Sequence, residues 1–195
     1  MEAPKSRERR PAPERRAQIL EAAASCIAEK GFHAATMDDL AQAAGLSKGS
    51  LYWHFKSKDD VFLALCDAVA TSTFEAWDAR EGEGSTFERF DTVVLQTLEQ
   101  GSQLLELRPV WTEFFTHRSC RDRIAELYRA MRWRLAEAFE RDGAEGRPLR
   151  GSPTAAAALL VGVIEGLGLQ AMVDPEFDLK SHWVDGVEVL RGGFG

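Results

Sequence analysis

The chain has little of what enzymes and secreted proteins depend on. Of its 195 residues only three are cysteines, Cys26, Cys66 and Cys120. They lie far apart, are odd in number and form no CxxC, which argues against a disulfide framework or zinc site and for a reducing compartment. His33, His54, His117 and His182 have no ligand-like spacing to one another. The HxxC pair of His117 and Cys120 offers two ligands on one turn, short of a metal site. No HExxH, GxSxG, Walker loop or GxGxxG is present, so no metal, cofactor or enzymatic chemistry is expected. No alternating β pattern and no internal repeat occurs. The start, MEAPKSRERRPAPERR, has no apolar core and is not a signal peptide, so a cytoplasmic protein is expected.

What remains is a globular composition, 45% hydrophobic and 28% charged, with enough length for one small and one medium domain. The net charge of −7 is unevenly spread. Residues 1–58 hold ten Lys and Arg against seven Asp and Glu, a balance of +3, and the remainder holds 14 against 24, a balance of −10. Because attraction to phosphate is screened within about 10 Å, a basic head on an acidic body remains compatible with binding DNA.

The stretch TMDDLAQAAGLSKGSLYWHFKSK, residues 36–58, organises the head. Leu40, Ala41 and Ala44 give a short helix one apolar face, and Gly45 breaks it where a tight turn needs positive φ. Ser47 can cap a second short helix anchored by Leu51 and Phe55, four residues apart. Ala41, then Gly45, then Leu51 is the spacing of a helix-turn-helix, whose helices cross closely. The second helix then turns Lys48, Gly49, Ser50, Tyr52, Trp53 and His54 toward solvent. Tyr, Trp and His exposed side by side read as a DNA-facing surface. Before it, Ile19, Leu20, Ala23, Ala24 and Ile27 predict a helix over 14–30, ended by Gly31. Residues 1–13, basic and rich in proline, read as a disordered arm, either lying along DNA or merely solubilising.

The segment GLSKGSLYWHFKSKDDVF, behind a first helix ending in EKGFHAAT, resembles the DNA-binding signature of the TetR family of bacterial one-component regulators. The resemblance runs from about Arg15 to Leu65 and is most specific in LYWHFKSK. It implies a three-helix DNA-binding head over 14–58, with Thr36, Tyr52, His54 and Lys58 on phosphates. Lys48, Gly49 and Ser50 would lie nearest the bases, with Trp53 in either role. Capping alone is the other reading of Thr36, and a solvated side chain the other reading of Lys58. The resemblance further implies an all-α body over 59–195, about nine helices in the whole chain, a homodimer and usually a small-molecule inducer.

In that body, Val61, Phe62, Leu65, Val69, Phe74 and Trp77 continue one helix, and Phe87, Phe90, Val94, Leu95 and Leu98 make another. Pro109 begins a short aromatic helix with Trp111, Phe114 and Phe115. A long helix over 121–141 carries Ile124, Leu127, Tyr128, Met131, Leu135 and Phe139. Phe74, Trp77, Phe90, Trp111, Phe114, Phe115, Met131, Trp133 and Phe139 are candidate pocket walls, with Glu165 or Gln170 orienting a ligand; ordinary core is the alternative.

The segment 154–173 is the most apolar and approaches a membrane span in length. Glu165 and Gln170 interrupt it and no basic flank adjoins it, so a helix buried against a partner is expected, with no membrane. Ala158, Gly162, Gly166 and Leu169 share one stripe of it. With Trp183, Val187 and Leu190 of the last helix they are the expected dimer seam, a four-helix bundle. The alternative is that the glycines accommodate a neighbouring helix of the same chain.

The function expected is a ligand-responsive repressor binding palindromic double-stranded operator DNA as a homodimer. A transcriptional activator of the same family is the nearest alternative. An all-helical small-molecule binder or enzyme with a vestigial head is a more distant one.

Overall fold

The computed structural model describes residues 12–99 and 118–194. Among them are eight α-helices and no strand: α1 Ala12–Lys30, α2 Met37–Ala43, α3 Lys48–His54, α4 Lys58–Asp78, α5 Thr86–Glu99, α6 Arg118–Ala144, α7 Pro153–Val173 and α8 Leu179–Phe194. The chain divides into two compact units after Leu65. The first turns of α4 belong to the head because Val61 and Phe62 are fully buried there, Phe62 against Phe32 at 4.3 Å between ring centroids. The aromatic helix expected from Pro109 lies outside the described residues, as do residues 1–11 of the arm. Helix α1 begins at Ala12, earlier than expected, since Pro13 is tolerated in a first turn.

Local chemistry sets the helix ends in the head. Gly31 takes φ 78° and Gly45 φ 64°, the left-handed conformation that glycine adopts without a Cβ penalty. Thr36 caps α2 in a reciprocal box: its Oγ1 accepts from the Asp39 N–H, and the Asp39 carboxylate accepts from the Thr36 N–H. Ser47 caps α3 by accepting from Ser50 N–H, and Ser57 Oγ accepts from Asp60 N–H at the start of α4. Beneath these caps Ile19, Ala23, Ile27, Phe32, Leu40, Leu51 and Phe55 form the core of the head. Truncating one such large aliphatic side chain to Ala costs about 2–5 kcal/mol.

The second unit is built on Trp77, Phe87, Phe90, Val94, Leu135, Phe139, Leu160, Val161, Trp183 and Val187. Trp183 is completely buried, packs edge-on to Phe90 and donates from Nε1 to Asp91 Oδ1 at 2.8 Å. Asp142, also buried, accepts from Thr86 N–H at 2.8 Å and so fastens the start of α5 to the end of α6. Helix α7 begins at a Ser152 cap followed by Pro153. Its first half is buried at Ala156, Ala157, Leu160 and Val161, while Leu169 and Val173 are exposed. By length and composition it is the one helix among the described residues able to cross a membrane.

Candidate nucleic-acid interface

Helix α3 separates its residues cleanly. Leu51 and Phe55 are buried, whereas Lys48, Gly49 and Ser50 are exposed, Tyr52 keeps 44% of its surface and Trp53 77%. The open Trp53 ring meets the His54 ring edge-on, at 4.7 Å between centroids. The helix therefore offers one continuous outward surface of a cation, a backbone without side chain, a hydroxyl and two aromatic rings. Gly49 completes it: among the described residues a Cβ added there would meet nothing within 4 Å, so no packing among them calls for glycine.

Three charged or hydroxylated candidates are less free than the sequence suggested. Lys48 Nζ lies 2.9 Å from Asp38 Oδ1, a bond across the helix-turn-helix between two exposed side chains. The Thr36 hydroxyl donates to Asp39 Oδ2 at 2.6 Å, so its proton is already committed and the capping reading describes it. Lys58 departs furthest. Its ammonium sits over the Phe32 ring, 4.5 Å from the centroid, and donates to the carbonyls of Phe32, His33 and Ala35. Three donors meet three acceptors, so Lys58 ties down the loop between α1 and α2. Sequence reasoning could not find this, because the acceptors are backbone atoms more than twenty residues away.

Two neighbours of this surface carry no signal in the sequence. Arg16 of α1 lies over the Phe55 ring, 4.5 Å from its centroid. Burial, then Arg16 and Arg15, push the His54 imidazole below its ordinary 6.5. The consecutive arginines are visible in the chain, but nothing there places them beside α3. The Asp39 carboxylate is held far below the usual range, first by the hydrogen bond from Lys30 and then by those from Thr36.

The candidate pocket residues of the second unit divide. Trp77 and Phe90 are buried core, with the Arg89 guanidinium 4.1 Å from the Trp77 ring centroid. Phe74 is half-buried beneath Arg134, and Met131 packs at the margin of the core. Trp133, at 63% exposed, does not join them: its position on α6 faces away from the chain's interior. Glu165 accepts a hydrogen bond from the Tyr128 hydroxyl, whose pKa is raised by burial and then by the Glu165 charge. Trp111, Phe114 and Phe115 lie outside the described residues. An open groove of about 570 Å³ between α1 and α2 is lined by Gln18, Glu21, Glu29, Lys30 and Asp39; it is polar, unlike the expected aromatic pocket.

The expected dimer seam also divides. Ala158 and Gly162 are exposed, Gly166 is half-buried and Leu169 is 55% exposed. Among the described residues, a Cβ on Gly162 or Gly166 would meet nothing within 4 Å. Trp183 and Val187 correct the expectation: both are buried in the chain's own core, and Leu190 packs against it. The outward residues of α8 are Val184 and Val189 instead. The apolar period of an amphipathic helix marks its buried face without saying which chain buries it.

Comparisons with known proteins match both units. Residues 19–65 match the family model of bacterial regulatory proteins of the tetR family, and residues 87–182 match that of the BetI-type transcriptional repressor C-terminal domain. The transcriptional activator FasR of Mycolicibacterium smegmatis is 49% identical over 57 residues, 29% of this chain and 26% of that protein. The transcriptional repressor AcnR of Corynebacterium efficiens is 35% identical over 130 residues, 62% of this chain and 64% of that protein. The chain thus spans less than two thirds of either relative. A crystal structure of a transcriptional regulator from Saccharomonospora viridis in complex with choline superposes with a TM-score of 0.75 at 25% identity, covering 90% of this chain and 96% of the other.

Proposed function

Because this chain belongs to the tetR family of bacterial regulatory proteins, we propose that it is a cytoplasmic, homodimeric repressor of transcription released from operator DNA by a small molecule. The observation that carries this reading is the outward surface of α3, where Lys48, Gly49, Ser50, Tyr52 and Trp53 stand exposed over a buried Leu51 and Phe55. Lys48, Gly49 and Ser50 enter the major groove nearest the bases, and Tyr52 and His54 meet the flanking phosphates. One such helix reads only a few base pairs, so a two-fold pair of heads on a near-palindrome follows from geometry.

The pairing surface is the stripe of exposed Ala158, Gly162 and Leu169 with half-buried Gly166 on α7, continued by Val184 and Val189 of α8. Pairing covers the apolar length of α7, which makes it a seam between subunits and not a membrane span. Within each subunit the ligand binds among Phe74, Trp77, Phe90 and Met131. Glu165 and the acidic balance of this unit favour a neutral or cationic compound, and the similar Saccharomonospora viridis structure holds choline, a cation.

Selection of duplexes from a randomised library by the full chain tests the proposal. Enrichment of a near-palindrome, abolished on raising the salt, is the expected outcome; a chain that enriches nothing is a helical binder with a vestigial head. FasR is an activator, so the sign of regulation is read from transcription in the presence and absence of the chain.

A further inference from the structure

We infer that Arg16 of α1 is a backbone-phosphate contact of the head, held over the Phe55 ring and thereby placed beside the end of α3. This inference rests on the DNA-binding reading and extends it to a helix outside the helix-turn-helix. Its guanidinium carbon lies 4.5 Å from the Phe55 ring centroid. Phe55 is itself buried, 3% exposed, with its N–H donating to Leu51 O at 3.0 Å as the C-cap of α3. Whatever positions the end of α3 therefore positions Arg16.

A guanidinium whose carbon sits over a ring face leaves N–H groups free at its rim, which suits a phosphate oxygen. Arg16 is exposed, and among the described residues no carboxylate pairs with it, whereas Arg15 Nη1 donates to Gln18 Oε1 at 3.0 Å. An arginine with a merely structural task would be expected to meet an acidic partner. Here the nearby charge is of its own sign: after burial, Arg16 and then Arg15 are what lower the His54 pKa. Arg16 and Arg15 thus concentrate positive potential at one end of the exposed helix, beside a His54 that their charge helps keep neutral, and a phosphate there relieves that like-charge crowding.

The test measures binding of wild type, R16A and R16K to a duplex selected by the wild type from a randomised library. An unrelated duplex of equal length serves as the comparison. R16A is expected to weaken both duplexes by the same factor, leaving their ratio intact. Its plot of log affinity against log salt should be shallower by about 0.9 for each phosphate that the variant no longer neutralises. R16K should keep the full slope but bind more weakly, since an ammonium lacks the planar donor fork that the Phe55 ring positions. The unfolding midpoint of R16A should match that of wild type, which separates weakened DNA binding from a damaged fold. An unchanged slope in R16A overturns the phosphate contact, and R16K binding as tightly as wild type overturns the Phe55 clamp. A wild type that selects no sequence overturns the DNA-binding reading itself, and this inference with it.

Discussion

Asp38 holds Lys48, with 2.9 Å between Oδ1 and Nζ, although Lys48 opens the helix most exposed for reading DNA. The pair is solvated, so it steers the lysine more than it stabilises the head. Binding to guanine exchanges one anionic partner for the O6 and N7 acceptors of the base. Lys48→Ala should flatten base preference at one position of each half-site in a randomised library. Asp38→Asn should tighten binding to every sequence, because one negative charge leaves the surface. Unaltered preference in the Lys48 variant would remove this residue from base reading.

Gly49 separates folding from function. With nothing within 4 Å of where a Cβ would stand, alanine fits, and helix propensity gains up to about 1 kcal/mol. Gly49→Ala should therefore melt at or above the wild-type temperature while binding operator DNA many-fold more weakly. Equal operator affinity would show that no close backbone approach occurs there.

Lys58 is assigned to the fold of the head. Removing its ammonium leaves the Phe32, His33 and Ala35 carbonyls without their charged donor, at about 1–3 kcal/mol. Lys58→Met should lower the unfolding midpoint and weaken all duplexes alike. Its salt slope should stay at the wild-type value, because the number of phosphates neutralised is unchanged; a shallower slope would restore the phosphate role.

The two kinds of α7 and α8 residue should fail differently. Among the described residues nothing lies within 4 Å of a Cβ at Gly166, so Gly166→Leu should stay folded, sediment as a monomer and fail to bind the operator. Trp183→Ala empties a fully buried site and removes the bond to Asp91, so it should cost about 3–5 kcal/mol of stability instead. A folded Gly166→Leu dimer would move the seam elsewhere.

His54 supplies a pH dependence of known sign. Its folded pKa lies below the ordinary 6.5, so the unfolded chain takes up a proton first as pH falls. The stability contribution of His54 is complete above 6.5 and declines on acidification toward its lower folded value. His54→Gln should remove that slope from unfolding measured between neutral and mildly acid pH, and wild-type stability that rises on acidification would contradict the sign.

The head was legible in the sequence because its determinants are local. Caps at Thr36, Ser47 and Ser57, glycine at 31 and 45, and anchors at Leu51 and Phe55 act over a few residues, so spacing alone predicts them. The helical periods of α5 to α8 were legible for the same reason. What periodicity cannot carry is the identity of the surface that buries each face. Only tertiary structure placed Trp183 and Val187 inside the chain's own core, left Gly162 exposed, and turned Trp133 outward. Only it brought Lys58 to the carbonyls of Phe32, His33 and Ala35 and laid Arg16 on Phe55. These are long-range meetings between groups whose chemistry is plain in the sequence but whose partners are chosen by the way the helices pack.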